Sequence, residues 1–172
     1  VSGELSELVG PALGPRVVLE ITEHAPIDDY ASFATDLEAL RARGVRIAID
    51  DTGAGFASLR HILRLAPDII KIDMTLTRRI TTDRAERALT RALISFAAET
   101  GATVVAEGVE SEAEIVALSE LGVPCGQGFH LGRPQKGSDL PSAHSGNRAN
   151  GRSDPYGRDR LRRVRPAGVP HR

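Results

Sequence analysis

Five side chains of this 172-residue sequence could do chemistry together: Glu20, Asp50, Lys71, Glu107 and Gln127. Each stands in, or directly after, a different short apolar run. The runs are Val17-Val18-Leu19-Glu20-Ile21, Val45 to Ile49, Asp68-Ile69-Ile70-Lys71-Ile72, Thr103 to Ala106, and the stretch from Cys125 to Phe129. If they are parallel strands, their C-terminal ends open onto one face, where such sheets and barrels build sites from several strands at once. Carboxylates gathered there repel one another and raise their own pKa values unless a cation sits among them. A divalent metal is therefore implied. Oxygen ligands from Asp and Glu, with no His or Cys at matching strand ends, favour Mg or Mn over Zn, because hard cations prefer carboxylate oxygen. His24, His61, His130, His144 and His171 show no ligand spacing and read as structural or surface residues.

The segments between these runs have helical period. Asp28 and Asp29 can cap a helix with Phe33, Leu37 and Leu40 on one face, and Gly44 can end it. After the second run comes a glycine-rich turn, Asp51-Thr52-Gly53-Ala54-Gly55, then a short helix from Ser58. Ala85, Ala88, Leu89, Ala92, Leu93, Phe96 and Ala97 fall on one helical stripe that Gly101 terminates. Ser111 with Glu114 fits a capping box for a helix that turns Ile115, Leu118 and Leu121 inward before Gly122. Alternating strand and helix predicts an α/β fold with parallel strands and crossover helices, either an open doubly wound sheet or a piece of a (β/α)8 barrel.

Composition narrows the class further. With 41% hydrophobic residues the chain can build a packed core. No stretch approaches the roughly 18 to 20 consecutive apolar residues of a membrane-spanning helix, so the expected location is cytoplasmic. Cys125 is the only cysteine, which rules out an internal disulfide and a thiolate cluster and reads as a small buried strand residue. The formal charge of −1 hides two regions: residues 1–132 carry 20 acidic against 12 basic side chains, a net −8, and residues 133–172 carry 3 against 10, a net +7. Beyond Pro134 the sequence turns to Gly, Ser, Asn, Pro and Arg without apolar periodicity. Residues 135–172 are therefore expected to form a disordered basic tail, solvated rather than bound to nucleic acid.

Alone, each acidic residue reads as a cap or turn former, and Lys71 as a lysine snorkelling to the surface. The ordered set is more specific. Glu20-Ile21-Thr22-Glu23, Asp50-Asp51-Thr52-Gly53-Ala54-Gly55-Phe56-Ala57-Ser58-Leu59, Lys71-Ile72-Asp73, Ala106-Glu107-Gly108-Val109-Glu110, and Gly126-Gln127-Gly128-Phe129 with Gly132-Arg133-Pro134 resemble, in order and interval, the motifs of EAL-family cyclic-di-GMP phosphodiesterases. The resemblance implies that residues 1–134 are the C-terminal portion of an EAL domain, an incomplete TIM-like (β/α)8 barrel. It implies metal-dependent hydrolysis of cyclic-di-GMP to the linear dinucleotide, with two Mg or Mn ions activating water. Carried over by position, Glu20 and Asp50 are metal ligands. Asp51 serves the second metal and the attacking water, Lys71 lies beside the water and the scissile phosphate, and Glu107 assists the second metal and the water. Asp73, Gln127, Glu23 and Glu110 are substrate or site support. A homodimer through the loop and helix after Asp51 is a further implication.

The sequence departs from the family at three points. Thr52 stands where an aromatic is usual, Ala57 replaces a usual Ser, and the signature Glu-Ala-Leu strand with the following Asn ligand has no counterpart. Weak or absent activity of the chain alone is the corresponding expectation. The alternatives are a non-catalytic cyclic-di-GMP-binding or protein-interaction module and, from Asp51-Thr52-Gly53-Ala54, an aspartic protease. The flanking helices exclude the protease, which needs two such loops in an all-β setting.

Overall fold

The computed structural model describes residues 17–22, 26–53, 56–133 and 162–163. Five short strands lie parallel in sequence order: β1 (Val18–Ile21), β2 (Arg46–Thr52), β3 (Ile69–Ile72), β4 (Thr103–Ala106) and β5 (Cys125–Gly126). Helices occupy each of the four connections between them: α1 (Tyr30–Arg41), α2 (Phe56–Leu65), α3 (Met74–Arg79) with α4 (Arg84–Thr100), and α5 (Glu112–Leu121). A sixth strand, β6 (Arg162–Arg163), pairs antiparallel with β5 and is the only part of the basic tail among the described residues. The expected disorder of the remaining tail falls outside them.

Local chemistry explains the helix ends. Asp29 accepts from the Ala31 and Ser32 amides to open α1, and Asp83 does the same for Ala85 and Glu86 at α4. Ser111 and Glu114 form the expected capping box, and Gly101 and Gly122 adopt the left-handed conformation that ends α4 and α5. Three details differ from the sequence reading. Helix α1 stops at Arg41 before reaching Gly44, α2 begins at Phe56 rather than Ser58, and the short α3, capped by Asp73, was not foreseen. The inward face of α4 is also turned by one position: Thr90, Leu93 and Ala97 are buried, whereas Ala85, Ala88, Leu89 and Ala92 are exposed. An alanine-rich helix offers two stripes of equal spacing, and packing against the sheet selects between them.

The strands bury different residues on their two faces. Ile47, Ile49, Ile70, Ile72, Val104 and Ala106 join the large core under the helices, including Leu37, Leu40, Ile62, Leu65, Leu93 and Leu118. Each fully buried aliphatic side chain contributes about 1.5–3 kcal/mol. The opposite face holds a smaller apolar layer of Ala48, Ile69, Val105 and Cys125 with Val18 against it. Side chains alternate along a strand, so the residue two positions on from each of these shares its face. Those residues are Glu20, Asp50, Lys71, Glu107 and Gln127. An apolar floor topped by chemistry is thereby repeated on all five parallel strands.

Candidate functional site

The centre of the site is Lys71. Its Nζ lies 2.7 Å from Glu107 Oε1, 2.9 Å from Asp50 Oδ1 and 3.1 Å from Glu20 Oε1. Only 8% of the lysine side chain is exposed, against 16% and 17% for Glu107 and Asp50 and 47% for Glu20, so the pairing is inside rather than on the surface. Gln127 closes the group by donating from Nε2 to Glu107 Oε1. All five residues that the sequence singled out meet in one place, and Lys71 does not snorkel to the surface.

Burial works against the Lys71 ammonium and would lower its pKa. Hydrogen bonds to Glu107, Asp50 and Glu20 and the charge of Glu107 outweigh that penalty, and the pKa is raised well above the ordinary lysine value. Burial acts on Glu107 in the other sense and pushes its pKa up. Lys71 opposes that shift, while neighbouring Asp50 adds to it. The group thus carries more carboxylates than one ammonium can neutralise, which is the electrostatic condition for holding a further cation.

Asp50 and Asp51 are consecutive, and in a regular strand they would point to opposite faces. The backbone prevents this. Pairing of β2 with β3 slips between Ile49 and Thr52, so that three steps along β2 oppose two along β3, and Asp51 sits at a left-handed φ of 55°. A bulge of this kind re-aims a side chain. As a result Asp50, Asp51 and Glu107 each offer a carboxylate oxygen within 4.8 Å of the others. An all-oxygen donor set of that spacing fits a hard divalent ion. The sequence predicts a turn at Asp51, whereas the residue belongs to β2 and its bulge, for which the Asp-Asp pair ahead of Gly53 is the one local signal.

Gln127 is held by backbone pairing that continues past the strands. Its amide donates to Ala106 O at 2.8 Å, the Val109 amide donates to Gln127 O at 3.1 Å, and the His130 amide donates to Val109 O at 3.1 Å. Gly128 permits the approach, since a methyl group there would lie 2.2 Å from Val109 N and O.

The remaining expected residues stand further out. Asp73 accepts from the Thr75 amide at 2.8 Å and caps α3, and Glu110 pairs with Arg78 at 2.9 Å. Glu23 lies outside the described residues. Of the histidines, His61 is buried against the Tyr30 hydroxyl and His130 faces Glu112, both in structural roles as expected. His24, His144 and His171 fall outside the described residues. Cys125 is buried in β5, as its sequence context suggested. Arg78 had no signal in the sequence. The tripeptide Glu38-Ala39-Leu40 does spell the family signature, but it lies in α1, where Glu38 pairs with Arg41 at 2.7 Å.

A parallel α/β sheet in sequence order, with acidic residues and a buried lysine at its carboxyl ends, is the arrangement in which TIM-like domains build a site at the strand C-termini. The family model of the EAL domain matches residues 4–134, and the chain belongs to that family. It is 39% identical over 123 residues to the probable cyclic di-GMP phosphodiesterase PdeA of Escherichia coli K12, covering 72% of this chain and 17% of that protein. Among solved structures, the EAL domain of Mycobacterium smegmatis DcpA superposes with a TM-score of 0.70 at 35% identity, covering 80% of this chain and 61% of that one. The manganese and cyclic-di-GMP complex of Klebsiella pneumoniae BlrP1 gives 0.65 at 37% identity, covering 76% and 32%. The chain therefore spans under a fifth of the length of PdeA and about three fifths of the DcpA EAL domain. Among the described residues no helix is long and apolar enough to cross a membrane.

Proposed function

We propose that the chain supplies the Lys71-centred part of a cyclic-di-GMP phosphodiesterase site, which hydrolyses the cyclic dinucleotide to its linear form. The observation that carries this reading is the convergence of Glu20, Asp50 and Glu107 on Lys71, with Asp51 brought alongside by the β2 bulge. Glu20, Asp50, Asp51 and Glu107 would hold Mg or Mn ions, two in an intact site. Such ions, when bound, lower the pKa of water and neutralise phosphodiester oxygens. Manganese occurs with cyclic-di-GMP in the BlrP1 structure, and the all-carboxylate donor set here suits either ion.

The protein's own groups divide the remaining work. Lys71 is a fixed positive charge that meets negative charge developing on the phosphate, and it costs no reorganisation because its partners already hold it. Gln127 orients Glu107 through its hydrogen bond, and the Glu107 carboxylate takes part in handling the proton of the attacking water. Asp73 and Glu110 support the site through the loops that carry them, and Glu23 belongs to the same supporting set by its place in the motif.

A homodimer through the loop and helix after Asp51 belongs to the same reading. Leu59 and Leu63, one turn apart on α2, are 49% and 65% exposed and offer an apolar face for it. A cytoplasmic location suits an intracellular dinucleotide substrate.

The test is incubation of the protein with cyclic-di-GMP and Mg2+ or Mn2+, resolving the linear dinucleotide by chromatography, with EDTA and Lys71→Ala as controls. Metal-dependent turnover that Lys71→Ala abolishes supports the reading. Binding of cyclic-di-GMP without turnover replaces the enzyme by a receptor, and absence of both leaves a protein-interaction module.

A further inference from the structure

The unforeseen helix α3 touches both loops that carry the acidic residues. We propose that Leu76 and Met74 are positioning residues that set the separation between the Asp50–Asp51 bulge and Glu107. The inference rests on reading that cluster as a divalent-metal site.

The backbone supplies the frame. The Asp73 amide, at the start of α3, donates to Thr52 O at 3.1 Å, and the Glu107 amide donates to Ile72 O at 3.0 Å. The two residues that join β3 to α3 are thus bonded on one side to the residue after Asp51 and on the other to Glu107 itself. Asp73 holds the first turn of α3 by accepting from the Thr75 amide.

Side chains then fix how closely each loop is seated. Leu76 is 1% exposed and lies directly under Gly53: a methyl group built on that glycine would fall 1.9 Å from Leu76 Cδ1 and 3.1 Å from Cγ. Met74, itself 37% exposed, lies against Gly108 with the root of its side chain, a methyl group there falling 2.6 Å from Met74 Cβ and 3.4 Å from Cα. Both glycines have left-handed φ, 109° and 63°, so each loop needs glycine for its turn as well as for its close approach. A third tie is the ion pair of Arg78 with Glu110, three residues beyond Glu107.

One element therefore braces both loops, next to β3, which pairs with β2 and β4 and whose Lys71 meets Asp50 and Glu107. Leu76 is 25 residues from Asp51 and Met74 is 33 from Glu107 along the chain, and neither offers a carboxylate. Supporting groups of this kind change metal affinity about 10- to 100-fold when altered, because ligand atoms that drift apart cannot close on one ion. A cavity under Gly53 lets the loop after Asp51 settle toward α3 and widens the carboxylate spacing.

The experiment is titration of the full chain with Mn2+ alone, reading free ion by electron paramagnetic resonance and stability by thermal denaturation in the same buffer. Leu76→Ala is expected to raise the Mn2+ dissociation constant about tenfold or more. Leu93→Ala, a buried leucine on α4, is expected to lower Tm comparably and leave the constant within twofold. A Leu76→Ala constant within twofold of wild type overturns the proposal, as does an equal rise in Leu93→Ala, which would mark general loosening. If Leu76→Ala does not fold, Leu76→Met, which keeps the volume but moves the branch that meets Gly53, carries the same criterion at threefold. Wild type that binds no Mn2+ overturns the metal reading and this inference together. Wild type that binds, with Leu76 variants unchanged, overturns this inference alone.

Discussion

Replacing Lys71 with methionine keeps most of the stem's volume and removes the charge that contacts Glu20, Asp50 and Glu107. Removing one partner of a buried ion pair costs roughly 3–5 kcal/mol, because the other charge is left buried and uncompensated. Glu20 is 47% exposed and water screens it, so its share is discounted, and a total of about 2–3 kcal/mol remains for Asp50 and Glu107. At about 3–4 °C per kcal/mol for a chain of this size, Lys71→Met should lower Tm by roughly 6–12 °C in EDTA at neutral pH. The deficit should shrink as the pH falls. Burial already raises the Glu107 pKa and Lys71 opposes the rise, so without the ammonium Glu107 in the folded state holds a proton at a pH where the unfolded state has lost it. Stability then increases with falling pH. Added Mn2+ should restore more of the lost stability in the variant than it adds to wild type, since a binding ion stabilises the folded form and no ammonium competes with it. Differential scanning calorimetry with and without Mn2+, at neutral and mildly acidic pH, decides. A variant as stable as wild type in EDTA, or one that Mn2+ fails to stabilise further, would refute the view of Lys71 as counter-ion to a crowded acidic site.

Other outcomes follow from single features of the structure. Asp51→Gly removes a left-handed non-glycine residue and one carboxylate, so Tm should stay within about 2 °C of wild type or rise while Mn2+ affinity falls, as titration would show. Gly128→Ala drives a methyl group into the Val109 backbone, and overpacking of that kind should cost about 1–3 kcal/mol in chemical denaturation. It should also raise the dissociation constant for Mn2+, because Gln127 no longer aligns with Glu107. Ser111→Ala breaks the capping box of α5 and should cost about 1 kcal/mol without changing Mn2+ binding, measured by urea denaturation and the same titration.

Much of this protein can be read in the order of its residues. Short β-branched runs bounded by glycine and proline gave four of the five parallel strands to within about three residues, and Ser111 with Glu114 gave the capping box of α5. The period of two does the most for function: it places Glu20, Asp50, Lys71, Glu107 and Gln127 two residues beyond the small apolar layer, on one face of the sheet. Local sequence fixes these features because the forces behind them act within a few residues.

The tertiary structure alone decided three others. The bulge that swings Asp51 beside Asp50 arises from pairing with β3, a partner some twenty residues on, and the Asp-Asp pair does not specify it. The exposed and buried stripes of α4 have equal spacing, and only the shape of the sheet beneath distinguishes them. Helix α3 has too few residues to show a period, yet its contacts with Gly53 and Gly108 bring two distant loops onto one support. Each depends on which surfaces meet in space, and the energy of that meeting is absent from any single stretch of chain.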